Sequence, residues 1–296
     1  KEKIRRVAVN PSSVLIVGET GTGKELVAQS IHSHSNRSDG PFLSQNCAAI
    51  PSTLLESILF GTTRGSYTQA EDRPGLFELA NHGTLFLDEL NSMDIALQSK
   101  ILKALEDKEI RRLGAAASTP VDVRVISAVN EDPFTCIAEG RLREDLYYRL
   151  GVVQLRLPPL RERPEDIPLL TEHFIRRLNQ KMHHQIIGVS TMVMDLFAHY
   201  GWPGNIRELQ NVMESCFNTA ESETVTIRDL PEFLFRRRLE KQPRFDSGRT
   251  LPQQMADFEK QLIGQAISET RNLMDAARLL GISRQSLQYK LQKYQF

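Results

Sequence analysis

The chain has 296 residues, 40% hydrophobic and 25% charged, an ordinary balance for a soluble globular protein and a length that suits about two domains. Its 37 basic and 37 acidic side chains cancel, which excludes a globally polyanion-binding protein, so any surface for nucleic acid must be local. No apolar run approaches the roughly 20 residues that span a bilayer, and Cys47, Cys136 and Cys216 are too scattered for a metal site or a disulfide framework, so reduced thiols in a cytoplasmic protein are expected.

The opening Lys-Glu-Lys-Ile lacks a methionine and reads as the start of a fragment. The apolar run 14–17 predicts a buried strand, and Gly18-Glu19-Thr20-Gly21-Thr22-Gly23-Lys24-Glu25 follows it directly, with a helical pattern over 26–33 behind. Strand, glycine loop, lysine and helix together form the arrangement that cradles nucleotide phosphates. Glycines let backbone N–H groups approach, Lys24 supplies a point charge, and the new helix presents its positive end. Glu25 stands where a Ser or Thr usually holds Mg²⁺. Taken alone, the loop also reads as a glycine-rich turn without a nucleotide.

Further strands are predicted at 41–43, 84–87, 123–128 and 152–157, and helices at 52–59, 95–106 and 143–150. The alternation implies an α/β fold with a mostly parallel sheet covered on both faces. The third run ends in Asp88-Glu89, acids that at the C-terminal edge of a parallel sheet lie beside the glycine loop. Asp88 is placed to hold Mg²⁺, and Glu89 to orient or deprotonate a water attacking ATP. Asn130, after the next run, reads equally as a γ-phosphate sensor or as a turn-forming Asn. Arg143 and Arg149 lie six apart on a predicted helix, about 1.7 turns. They read as fingers reaching a neighbouring subunit's γ-phosphate or, as position alone favours, as two solvated arginines.

Pro158-Pro159 and Pro164 mark a change of regime. From 167 to 235 the pattern is helical with no good strand candidate, and Arg207 falls in the first turn of a helix behind Pro203-Gly204, where a helical lid can hand a cation to the nucleotide. Residues 236–250 read as a basic linker. In the tail, a helix over 257–269 places Phe258, Leu262, Ile263, Ala266 and Ile267 on one side. Helices over 272–280 and 283–293 follow, joined through Gly281, a helix-turn-helix pattern with Ile282, Leu287 and Leu291 as core. Beyond residue 270 five basic residues face one acidic residue, a net of +4 on a small module. Arg284, Gln285, Gln288 and Lys290 form its outer face and are candidates for DNA contact. A helical hairpin used only for dimerisation is the alternative.

The motif set closely resembles the NtrC-type bacterial enhancer-binding proteins, the sigma-54-dependent transcriptional activators. It comprises the glycine loop 18–25, Asn46-Cys47-Ala48-Ala49-Ile50-Pro51, Leu59-Phe60-Gly61, the run 83–89, the run 143–151 and Trp202-Pro203-Gly204-Asn205-Ile206-Arg207-Glu208-Leu209. The family carries Glu at position 25. The resemblance implies an AAA+ P-loop ATPase core over 1–165, a helical lid over 166–235 and, after the linker, a Fis-type helix-turn-helix over 251–296. It implies a homo-oligomeric ring, usually a hexamer, with ATP bound between subunits and dimeric DNA-binding units on upstream activating DNA. It assigns Lys24 to phosphate, Asp88 to Mg²⁺, Glu89 to water activation, Asn130 and Arg207 to the two sensors and Arg143 and Arg149 to fingers acting in trans. Asn46 matches the residue that pairs with the catalytic glutamate. The family's Gly-Ala-Phe-Thr-Gly-Ala loop, which touches sigma-54 of the RNA polymerase holoenzyme, reads Gly65-Ser66-Tyr67-Thr68-Gln69-Ala70 here. Tyr67 and Thr68 are therefore the expected contact tip. Gln69 replaces a glycine, which costs about 1 kcal/mol if φ must be positive there. That departure leaves open a DNA-binding regulator whose oligomerisation ATP controls, without action on sigma-54. A protein-unfolding AAA+ machine is a third class, against which the helix-turn-helix argues.

Overall fold

A computed structural model describes residues 2–65, 71–220, 222–235, 248, 250–270 and 272–294. The chain divides into two compact units, 1–230 and 231–296. Tyr67, Thr68 and Gln69, and nearly all of the linker 236–250, lie outside the described residues. Among the described residues no helix is long and apolar enough to cross a membrane.

The first unit begins with helix α1 (Glu2–Val9), strand β1 (Val14–Val17) and helix α2 (Lys24–Ser33). Then come β2 (Phe42–Asn46), α3 (Ser52–Phe60), α4 (Leu76–Leu79), β3 (Thr84–Asp88) and α5 (Ile95–Asp107). The sheet is completed by β4 (Arg124–Val129) and β5 (Val153–Arg156), between which lie α6 (Pro133–Ala138) and α7 (Glu144–Leu150). The order is β2-β3-β4-β1-β5, every pair parallel. Side chains alternate across the pleat. Leu15, Val17, Leu85, Leu87 and Val125 enter the core under α3, α5 and α7, whereas Val14, Ile16, Phe86 and Ile126 pack with Ala28 and Ile31 of α2 and Val7 and Ala8 of α1. Both faces are covered, which is why the central strands read as continuous apolar runs.

One polar residue starts a central strand. Arg124 is 4% exposed, yet its guanidinium donates to the carbonyls of Ala8 (2.8 Å) and Val7 (2.9 Å), two of the last carbonyls of α1. Its Nε has no partner.

The lid comprises α8 (Asp166–Met182), α9 (Thr191–His199) and α10 (Asn205–Thr219). Trp202 is fully buried between α9 and α10, its indole donating to the Phe197 carbonyl at 2.8 Å. Contrary to the all-helical expectation, Gly188–Val189 and Thr224–Val225 pair as two parallel two-residue strands, too short for any period to be read.

In the second unit α11 (Leu251–Glu269), α12 (Leu273–Leu279) and α13 (Arg284–Tyr294) enclose Ile263, Ala266, Ala276, Ala277 and Leu287. Gly281 takes the left-handed turn at φ +66°, and the Ser283 hydroxyl accepts from the Ser286 N–H to start α13.

Candidate functional site

The parallel sheet brings the ends of β1, β3 and β4 to one edge, where ligands collect in open α/β sheets. The glycine loop leaves β1 with the Gly18 N–H held by the Val129 carbonyl, and Gly21 and Gly23 turn left-handed at φ +81° and +96°. A Cβ on Gly21 would stand 2.3 Å from the Gly204 carbonyl oxygen, so the loop and the lid approach too closely for any side chain there. Lys24, the first residue of α2, is only 6% exposed, and its ammonium donates to the carbonyls of Gly18 (2.8 Å) and Glu19 (3.3 Å). Burial draws its pKa below the usual lysine value, Asp88 and Glu89 oppose that shift, and Arg207 adds to it.

Asp88 closes β3 and accepts the Glu89 N–H at 3.0 Å. Glu89 itself sits left-handed at φ +54°, a costly state for a glutamate and one that collects at functional sites. A desolvated cation facing two carboxylates at the mouth of a glycine loop fits a magnesium-bound triphosphate. The donor set suits the ion, because Mg²⁺ is held by one or two carboxylates and takes its remaining oxygens from phosphate and water. Among the described residues no three or more His, Cys, Asp or Glu side chains gather as a metal cluster of their own.

The sensor candidates take definite places. The Asn130 Oδ1 accepts from the Asn91 amide at 2.9 Å, tying the end of β4 to the turn Leu90–Ser92 behind Glu89. Asn46 stands in register beside Asp88, but its Oδ1 is taken by the N–H groups of Ala48 (2.9 Å) and Ala49 (3.1 Å), so it caps its own turn instead of pairing with Glu89. Arg207 lies exposed in the first turn of α10, its N–H directed to the Gly21 carbonyl at 3.3 Å. Glu25 is exposed on the first turn of α2.

The two finger candidates make no hydrogen bond or ion pair with the glycine loop, Asp88 or Glu89 of their own chain. Arg143 is the cap preceding α7 and not part of that helix, and its guanidinium pairs with Asp145 at 2.7 Å and 3.0 Å. Arg149 donates to the Leu105 carbonyl (2.8 Å) and lines a cavity with Pro11, Val121 and Val152, at the opposite end of the strands.

Three residues of the site escape a reading of the sequence. Arg161 grips the Glu19 carboxylate with two bonds (2.6 and 2.9 Å), Arg163 donates to the Thr22 carbonyl (3.1 Å), and Asn205 joins three segments. The fully buried Asn205 amide donates to Glu19 and to the Thr20 carbonyl, each at 3.1 Å, while its oxygen accepts the Leu160 N–H at 2.8 Å. Loop and lid are thereby stitched together, and Arg161, with help from Asn205, holds the Glu19 carboxyl below its ordinary pKa. The only local signal was a pair of arginines just behind Pro158-Pro159 and an Asn opening a helix. Asn205→Asp should set a second carboxylate against Glu19. Thermal melting is expected to show a deficit near neutral pH that shrinks as the pH falls towards the carboxylate range, about 4, where one of the two is protonated.

In the second unit Arg284, Gln285 and Gln288 are exposed on α13. Lys290 departs from the expected outer face: it turns inward to form an ion pair with Glu259 of α11, a carboxylate that also accepts the Tyr294 hydroxyl. The apolar side expected of the first tail helix divides in two. Ile263 and Ala266 are buried, while Leu251, Met255, Phe258 and Leu262 form an exposed stripe at spacings of four, three and four. Cys47, Cys136 and Cys216 are buried and free, and burial pushes the Cys47 thiol, which lies near Asp88, up to about 12.

Residues 1–156 match the Sigma-54 interaction domain, 161–246 the AAA+ ATPase lid domain and 254–294 the bacterial regulatory proteins of the Fis family. The chain is 49% identical over 302 residues to the transcriptional activator RocR of Bacillus subtilis, covering 99% of this chain and 65% of that protein. It is 43% identical over 300 residues to the regulatory protein AtoC of Escherichia coli, covering 98% and 64%. The crystal structure of NtrX from Brucella abortus in complex with ADP superposes with a TM-score of 0.76 at 34% identity, covering 100% of this chain and 67% of that one. The chain thus spans slightly under two thirds of the length of these two curated relatives.

Proposed function

The chain belongs to the sigma-54-dependent transcriptional activators, with an AAA+ core, a helical lid and a Fis-type helix-turn-helix, and from that premise we propose that it hydrolyses ATP in a ring of identical subunits to remodel sigma-54 RNA polymerase at promoters. The observation that carries the reading is Lys24, a nearly dry ammonium held by two loop carbonyls and biased by two acids. In this reading residues 18–24 wrap the phosphates with backbone N–H groups, and Lys24 exchanges its carbonyls for phosphate oxygens. A magnesium ion on Asp88 would neutralise charge on the phosphates. Glu89 takes the proton of the water that attacks the γ-phosphorus as the bond to ADP breaks. Arg143 and Arg149 of an adjacent subunit meet the charge that spreads over the transferring group. Asn130 and Arg207 report which nucleotide is bound, and the Asn205–Glu19–Arg161 junction carries that report to the lid.

Tyr67 and Thr68 are assigned to sigma-54 contact, and the second unit to upstream DNA. Arg284, Gln285 and Gln288 read base edges, whereas the Glu259 pairing of Lys290 leaves it a minor role. The stripe from Leu251 to Leu262 gives two copies a surface on which to pair, which matches dimeric DNA-binding units in a ring proposed as a hexamer. A protein with these partners works in the cytoplasm.

The deciding experiment is transcription from a sigma-54 promoter reconstituted with this chain, polymerase and ATP. Open complexes that need ATP support the proposal. Normal hydrolysis and DNA binding without open complexes would overturn it in favour of a regulator that does not act on sigma-54, and recovery by Gln69→Gly would place the fault in the loop. Arg284→Ala should weaken operator binding by about 1–3 kcal/mol and relax sequence preference, read by fluorescence anisotropy against specific and random duplexes.

A further inference from the structure

Gln98 is a polar side chain at a fully buried position of α5, among Leu97, Ile101 and Ala104. Its amide makes three hydrogen bonds, all to backbone. The oxygen accepts the Arg143 N–H at 2.9 Å; the nitrogen donates to the carbonyls of Arg141 (2.8 Å) and Met93 (2.9 Å). Two of these partners flank the buried Leu142 at the root of Arg143. The third belongs to Met93, which ends the turn Leu90–Ser92, and that turn is capped by the left-handed Glu89. The same turn carries Asn91, which is bonded to Asn130.

We propose that Gln98 is the positioning residue for Arg143: it sets the root of the arginine that one subunit lends to its neighbour against the turn behind that subunit's own Glu89. The requirement is one acceptor and two donors in a plane at the end of a two-carbon stem, which among the side chains glutamine meets. A methionine of similar size leaves three backbone groups without their partner, one of them buried, and a glutamate turns an acceptor towards two carbonyls. The arrangement gives the trans-acting arginine a dependence on its own subunit's nucleotide, because a shift of the Glu89 turn moves Met93 and, through one amide plane, the Arg143 N–H. A displacement of about 1 Å in a positioned catalytic group costs on the order of 10²-fold in rate.

The inference rests on Arg143 acting in trans as read above, and co-assembled rings of two variants separate the two ideas. Gln98→Met alone should turn ATP over about 10²-fold more slowly than wild type, yet bind a fluorescent ADP analogue with wild-type affinity. Glu89→Gln alone is inactive in its own site but keeps a well-placed Arg143. Co-expressed, the two should regain turnover well above either parent, since a Glu89→Gln subunit caps the intact nucleotide site of a Gln98→Met neighbour. Arg143→Ala mixed with Glu89→Gln is the reference pair. Rescue of the reference pair but not of Gln98→Met overturns the positioning role and leaves the finger reading standing. No rescue of the reference pair overturns the finger reading itself. If Gln98→Met is insoluble, Gln98→Glu, which keeps volume and the acceptor but loses the donors, enters the same mixture with the same expected rescue.

Discussion

Arg143→Ala is expected to lower kcat for ATP by about 10³–10⁵-fold, the range spanned by arginine fingers in phosphoryl transfer, while nucleotide affinity and thermal stability stay close to wild type. In the structure the side chain contributes little to its own subunit. Its pair with Asp145 lies in solvent, where water screens the attraction and the pair adds little to stability. Nor does it form a hydrogen bond or ion pair with residues 18–24 of its own chain. The loss should therefore be visible only where subunits meet. Wild-type turnover per chain should climb with protein concentration as rings assemble, and Arg143→Ala should stay flat across the same range. A variant that loses ATP affinity in the dilute, unassembled chain would show that Arg143 serves its own site.

Glu89→Gln should reduce turnover by about 10²–10⁴-fold, the usual worth of a general base, and retain ATP binding. It has the size of the native residue and removes only the charge and the proton acceptor. A second consequence concerns Lys24. Burial draws that ammonium below its ordinary pKa, and Glu89 is one of the two acids opposing the shift. Without Glu89 the pKa falls further, so the variant should lose ATP affinity at a lower alkaline pH than wild type does. Equilibrium binding of a non-hydrolysed ATP analogue between neutral and alkaline pH measures this. Identical profiles would mean that Glu89 and Lys24 do not share a field.

What the sequence made legible was local. The Val14–Val17 run, the glycine loop and the Thr84–Asp88 run with its acids announce themselves because burial on both faces leaves an unbroken apolar signature beside a fixed spacing of Gly and Lys. The tail helices are legible from Gly281 and from Ile282, Leu287 and Leu291 around it. The sequence marks β2 only over 41–43, since Phe42–Asn46 is an edge strand whose exposed Ser44 and half-buried Gln45 and Asn46 lack apolar character. The helical pattern over 143–150 takes in Arg143, which the helix Glu144–Leu150 only follows, a boundary that composition does not mark. The bonds of Asn205 to Glu19 and of Arg161 to Glu19 join residues 186 and 142 positions apart, and no local pattern encodes them. Helical phase alone puts Lys290 on the outer face and cannot foresee that Glu259 of another helix pairs with it. Gln98 carries a signal of its own, since an amide on the apolar face of a helical pattern marks buried backbone in need of partners.

The anchoring of α1 by Arg124 makes the attachment of that helix a discrete event. Peeling the last turn of α1 away strips Val7 and Ala8 from a guanidinium that water does not reach, and a half-undone clasp is costlier than either a shut or a fully open one. Arg124 also begins the strand that ends one residue before Asn130. A pull along α1 would therefore be felt first by one backbone run, the strand that leads from Arg124 towards Asn130.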